Sequence, residues 1–195
     1  MKLAWNVSDE ENGSTVVFAS TEHEAANIGA NELLSDTESV VAERSPDYDQ
    51  YAEQGYVPIK VLYDNYWWFG CWQCDRKVSV SDEDEDDESN PLDPVFEERR
   101  LFCCGKCQER YYQEMKQREC DRAAAKEYLL QKLPGIEIRS AWGGSPGYPV
   151  SVEFKFPGGK HTVQWSNNEK GIFLVTKVDL EAWDKYQSTI LAGAR

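Results

Sequence analysis

Cys71-Trp72-Gln73-Cys74 and Cys104-Gly105-Lys106-Cys107 decide how this chain is read. A two-residue spacer lets both sulfurs of a pair turn toward one ion, and two such pairs supply four soft donors for a tetrahedral site. Four thiolates close the coordination shell. A catalytic ion keeps a position open and usually recruits His or a carboxylate, so the spacing predicts a structural zinc held by Cys71, Cys74, Cys104 and Cys107. Cys103 lies beside Cys104 and competes with it through Cys103-x-x-x-Cys107; the two-residue spacer favours Cys104. A redox role for the Cys104–Cys107 pair leaves Cys71 and Cys74 unexplained. Cys120 falls within a helical stretch and is expected to be a small buried residue.

Between the pairs lies a long insertion with the run Asp82-Glu83-Asp84-Glu85-Asp86-Asp87-Glu88, closed by Pro91 and Pro94. Seven acids with no apolar residue cannot bury themselves, so a solvated excursion is expected, and it is the candidate interaction segment. The charge of the whole chain, −14, is lopsided in the same sense. Residues 1–70 carry 13 acids and 3 bases, and residues 71–103 carry 11 and 4. From residue 104 onward the balance turns slightly basic. The acidic half repels a polyanion, which disfavours direct nucleic-acid binding and favours a partner with a basic surface.

Upstream of the first pair, Leu3–Val7 and Thr15–Ala19 read as strands joined by a polar turn ending in Asn12-Gly13. Thr21 and Glu24 have capping-box spacing and open a helix over about 22–34. Val40–Ala42 reads as a third strand, and Ile59–Tyr63, after Pro58, as a fourth. Tyr66-Trp67-Trp68-Phe69 is expected to pack over the cysteine site. Downstream, a helix runs from about Gln108 to Lys132, stopped by Pro134-Gly135. Its bases (Lys106, Arg110, Lys116, Arg118, Arg122, Lys126) alternate with acids, as on a solvated, salt-bridged face. Four alternating segments within 136–175, separated by Gly- and Asn-rich turns, predict an antiparallel meander, and Asp179 starts a last helix.

The fold expectation is α+β: a β-β-α-β unit over 1–66, a zinc module with its acidic insertion and long helix over 67–133, and a β-meander with a C-terminal helix over 134–195. No apolar run reaches the length of a membrane span and the N-terminus lacks a signal-peptide core, so a cytoplasmic protein is expected.

Over residues 71–118, strand, Cys-x-x-Cys turn and a second Cys-x-x-Cys at a helix mouth resemble the treble-clef zinc finger. That resemblance implies a structural zinc and a helix N-terminus carrying the second pair. It departs from the family in the length and acidity of the insertion. The nuclease branch of treble clefs needs a His near the knuckles, and the two histidines, His23 and His161, lie elsewhere. With no phosphate loop or nucleophile motif either, the chain is expected to be non-enzymatic. Its compact, acidic, Trp-rich composition resembles accessory proteins of bacteriophages. That resemblance implies a phosphate-mimicking inhibitor of a host nucleic-acid-handling or CRISPR defence complex (an anti-CRISPR role), residing in the host cytoplasm. A nucleic-acid-binding zinc-finger regulator and an enzyme of unrecognised type are the alternatives.

Overall fold

A computed structural model describes residues 1–80, 93–145, 147–168 and 171–193. The chain is mixed α and β, with N-terminal strands, a long helix, and a C-terminal antiparallel sheet followed by a helix. It divides into two compact units, Met1–Gln108 and Glu109–Arg195. Among the described residues no helix is long and apolar enough to cross a membrane.

The first unit is built on β1 (Leu3–Asp9), the central strand of a three-stranded antiparallel sheet flanked by β2 (Gly13–Ala19) and β3 (Val41–Arg44). Alternation along the strands sorts side chains to two faces. Val7, Val17 and Ala19 cluster with Ala25 of α1 (Glu22–Leu33). Ala4 and Phe18, on the other face, cluster with Tyr48, Val57 and Leu62. Thr21 caps α1 through the Glu24 amide at 3.2 Å, and the Glu24 carboxylate accepts the Ser20 amide at 2.8 Å. The helix presents small residues to the sheet (Ala25, Gly29, Ala30), which allows close approach. It ends at Leu34 in the left-handed region, φ +56°, with its side chain 93% exposed. Leu34 therefore terminates the helix instead of extending its apolar face.

The stretch expected as a fourth strand is a short helix, α2 (Ile59–Asp64). Ile59, Leu62 and Tyr63, at helical spacing, are its buried residues, and Lys60 pairs with Asp64 at 2.5 Å. Pro58 directly precedes it, the residue that most readily enters a first turn. Over so few residues the i, i+3, i+4 burial outweighs the strand preference of Val61 and Ile59.

The second unit holds the larger apolar core. The sheet runs β11-β10-β9-β8, a meander of β8 (Glu137–Trp142), β9 (Ser151–Lys155), β10 (Val163–Ser166) and β11 (Phe173–Leu174). Phe154, Phe156, Trp183 and Tyr186 pack edge-on or tilted, with centroids 5.0–6.2 Å apart. Leu129 and Ala125 come from the long helix α3 (Gly105–Lys132), and Trp183 and Tyr186 from α4 (Leu180–Gly193). Asp179 is the polar anchor of this unit. Its buried carboxylate accepts the Lys160 and His161 amides (3.0 and 2.8 Å), His161 Nδ1 (2.9 Å) and the Thr176 hydroxyl (3.1 Å). Those donors, the Lys160 amide foremost, outweigh desolvation and hold its carboxyl well below the ordinary range.

Two measurements check this packing. A Cβ at Gly29 would lie 2.5 Å from Val7 Cβ and 2.8 Å from Val7 Cγ2. Val7 is fully buried and has no room to yield, so Gly29→Ala is expected to cost about 1–3 kcal/mol in denaturant unfolding. The Asp179 carboxyl is depressed in the folded state, so its stabilisation is complete above the ordinary carboxylate range and is lost as pH falls through the folded value. Asp179→Asn is expected to lower the thermal midpoint at neutral pH. The gap from the parent protein should begin to narrow as pH falls below the ordinary carboxylate range, about pH 4, where the unfolded carboxyl takes up a proton that the native one still refuses.

Candidate metal centre

Two short hairpins and a helix end deliver the cysteines. In the first hairpin, β4 (Phe69–Gly70) pairs with β5 (Lys77–Val78). Between them the Cys71 amide donates to the Arg76 carbonyl and the Asp75 amide to the Cys71 carbonyl, both at 2.9 Å. Asp75 takes the left-handed conformation (φ +57°), which Asp tolerates better than most residues. The loop is tied down by the Trp72 amide on the Leu101 carbonyl at 3.0 Å. In the second hairpin, β6 (Val95–Phe96) pairs with β7 (Leu101–Phe102). Leu101 and Phe102 are fully buried, and the next residue, Cys103, follows them inward. Helix α3 then begins, with Cys107 in its first turn.

The four sulfurs that come together belong to Cys71, Cys74, Cys103 and Cys107, all within 4.8 Å of one another. The Cys74–Cys103, Cys103–Cys107 and Cys107–Cys74 separations are 3.7, 3.5 and 3.8 Å. Ligand bonds of about 2.3 Å around a tetrahedral ion place thiolate sulfurs about 3.8 Å apart, so the cluster has the dimensions of a four-thiolate site. Such a cluster is compatible with a zinc-finger segment.

Cys103, and not the Cys104 that the spacing favoured, lies among the clustered sulfurs. Cys104 is the last residue before α3, and its carbonyl accepts the Cys107 and Gln108 amides at 3.1 and 3.3 Å. Its sulfur accepts from the Cys107 and Lys106 amides, an N-cap role that turns it toward the helix end. Cys103 still belongs to the extended chain and points into the cluster. Cys120 is exposed, against expectation.

The thiols' charge states fit a cluster that could hold a cation. Burial opposes ionisation of Cys71, yet amides of Cys103, Gln73 and Cys74 bring its thiol down to about 7. Burial pushes Cys107 up to about 12 and Cys103 up as well, and nearby thiolates add to the rise. Thiols this close cannot all ionise against one another unless a positive charge sits among them.

The aromatic run beside the site splits instead of packing together. Trp67 and Phe69 pack against the Ala4–Phe18 cluster, while Tyr66 and Trp68 are 79% and 60% exposed. Tyr66 sits in a turn with φ +65° and only Phe69 lies in a strand, so the four rings do not share one face. Around the knuckle several bases lie over rings: Lys77 over Trp68, Arg100 over Trp72 and Arg99 over Tyr56, at 5.1–5.7 Å. Sequence reading missed these pairs, because their partners are distant in the chain. On α3, Arg118 pairs with Glu114 at 3.6 Å, and Arg122 donates to the Arg118 carbonyl at 3.1 Å, so both are engaged within the helix.

The acidic run Asp82, Glu83, Asp84, Glu85, Asp86, Asp87, Glu88 lies outside the described residues. A second acidic feature lies within them. A cleft of about 550 Å³ between the β1–β2 turn and the α1–β3 connection is lined by Asp9, Glu10, Glu11 and Asp36 among other residues. A hydrogen bond from Ser35, with help from Glu11 and Asn12, holds Asp9 down to about 2, so it is ionised at physiological pH.

No family model matches the chain, and neither a curated protein nor a solved structure matches it. The site is therefore read from its own geometry. The purified chain is expected to carry one metal ion per molecule by elemental analysis. Cys103→Ser and Cys107→Ser should lose it and Cys104→Ser should keep it; the reverse ranking of Cys103 and Cys104 would restore the spacing-based assignment.

Proposed function

We propose that this chain is a non-enzymatic protein-interaction module whose first unit folds around one structural zinc ion. The observation that carries the reading is the closed set of four cysteine sulfurs at tetrahedral spacing, with no His or carboxylate among them. Soft thiolates in that arrangement select zinc over hard cations, and a full shell leaves no position for substrate. A hairpin knuckle followed by a second hairpin and a helix N-terminus supports the treble-clef resemblance.

The partner surface is argued from charge. Residues 1–103 carry 24 acids against 7 bases. Glu10, Glu11, Glu22, Asp36, Glu38, Glu43 and Asp47 are exposed. The cleft lined by Asp9, Glu10, Glu11 and Asp36 offers concave carboxylates to a Lys or Arg side chain. The partner is therefore a protein with a basic surface, of the type that handles nucleic acid, and the carboxylates take the place of phosphates. Inhibition of a host defence complex of this type is the biological role in keeping with the phage-like composition. Direct contact with nucleic acid is disfavoured by the same charge.

Capture from a host lysate on immobilised protein, washed at rising salt, tests the reading. Nucleic-acid-binding proteins should be retained at low salt, released at a few hundred millimolar as screening grows, and displaced by added DNA. Combined Glu10→Gln, Glu11→Gln and Asp36→Asn changes, with or without neutralisation of Asp82–Glu88, should reduce retention severalfold. Retention indifferent to both salt and these substitutions would overturn the mimicry.

A further inference from the structure

A fifth sulfur, one more than a zinc ion needs, lies beside the cluster. Cys104 Sγ lies 3.9 Å from Cys103 Sγ, and Cys103 Sγ is 3.5 Å from Cys107 Sγ. Cys104 and Cys107 form a Cys-x-x-Cys pair across the first turn of α3, and the sulfur of each lies beside that of Cys103. Neither is deeply buried, and Cys74 is exposed, so small oxidants reach the sulfurs from solvent. Cys71 and Cys103, by contrast, are enclosed at 0% and 1% exposure. The spare thiol thus stands on the more open side of the cluster, beside Cys103 and at Cys-x-x-Cys spacing from Cys107.

We propose that Cys104 is the redox trigger of the zinc site: a hydroperoxide oxidises it, and Cys107 then forms a disulfide with it and leaves the metal. This rests on the zinc reading above. In the first step the Cys104 sulfur attacks the terminal peroxide oxygen. The O–O bond breaks, an S–O bond forms, and the peroxide leaves as its alcohol, or as water from hydrogen peroxide. In the second, the Cys107 thiolate attacks the Cys104 sulfenic sulfur. The S–S bond forms, the S–O bond breaks, and hydroxide departs and takes up a proton. Two sulfurs have lost two electrons and the peroxide has gained them. A zinc ion held by the four sulfurs would be left with three ligands and would be given up to a chelator, and the helix start that Cys107 anchored would no longer be tied to the knuckle. A thiol reductant reverses the change, because neither sulfur passes beyond the disulfide.

Cys104→Ser tests the assignment, since Ser keeps an N-cap acceptor for the Lys106 and Cys107 amides. Zinc-loaded full-length protein is treated with hydrogen peroxide while released zinc is followed with a chromogenic chelator, and disulfides are mapped by mass spectrometry after alkylation. The parent protein is expected to release one zinc per Cys104–Cys107 disulfide and to rebind it after reduction. Cys104→Ser is expected to load zinc normally and release it roughly tenfold more slowly, whereas Cys120→Ser should behave as the parent does. Release from Cys104→Ser at the parent rate, or a map showing Cys71–Cys74 disulfide with Cys104 still alkylatable, would overturn the trigger. A parent protein that loads no zinc before peroxide is added overturns the zinc reading itself, and this inference with it. Should Cys104→Ser fail to fold, Cys104→Asn, which also supplies an N-cap acceptor, takes its place under the same criteria.

Discussion

Four sulfurs within 4.8 Å of one another are the constraint on which the middle of this chain depends. The regular structure around them is minimal. β4, β5, β6 and β7 have two residues each. A hairpin of that length is not stable alone in water. The apolar contribution is small too, with Leu101, Phe102 and Val78 as the fully buried anchors. A structural zinc site contributes on the order of 10 kcal/mol toward folding, comparable with the whole stability of a small domain. An ion bound there would decide whether these hairpins form, whereas the second unit has its own apolar core. Its aromatic cluster of Phe154, Phe156, Trp183 and Tyr186 and its four-stranded meander supply an apolar core of ordinary kind.

This difference bears on where function sits. The second unit spends its few buried polar groups on itself, as the fourfold use of the Asp179 carboxylate shows. Many carboxylates of the first unit face outward, and several of its cationic side chains are occupied. Arg44 is held by Asp49 at 2.9 Å, Lys60 by Asp64, and Lys77, Arg99 and Arg100 lie over aromatic rings. Arg44 and Lys60 each neutralise one acid locally, and the remaining excess, 24 acids against 7 bases over residues 1–103, sets the sign of the field.

Much of the fold was legible in the sequence where pattern and packing agree. The meander has clean alternation interrupted by Gly- and Asn-bearing turns, and the strands fall where alternation puts them. The first helix was marked by Thr21 and Glu24, which bond their neighbours' amides. Legibility failed where two local rules compete over a few residues. Ile59–Tyr63 is apolar and partly β-branched, yet a proline before it and helical burial made it α2. Tyr66–Phe69 looked like one apolar block, but the turn at Tyr66, with its positive φ, leads into an irregular segment that divides the rings between core and solvent.

The cysteines show the same competition at the scale of one residue. Spacing identifies Cys71, Cys74 and Cys107 without difficulty. It cannot separate Cys103 from Cys104, because a knuckle-like two-residue spacer and a strand-to-helix junction make opposite demands. The junction prevails. The last residue before a helix uses its side chain to satisfy helix amides, so a cysteine there faces the helix end, and the residue ahead of it, still extended, faces the site. A Cys-Cys pair at a helix mouth therefore divides the work, one sulfur for the cluster and one for the cap. The capping sulfur is the more accessible of the two, buried to an intermediate degree where Cys103 is enclosed. Placing a second nucleophile at that position would be an unnecessary hazard for a site with only a structural task, because Ser caps a helix better than Cys and does not oxidise. The presence of a thiol where a hydroxyl would serve stability better argues that reactivity at this helix end has a use.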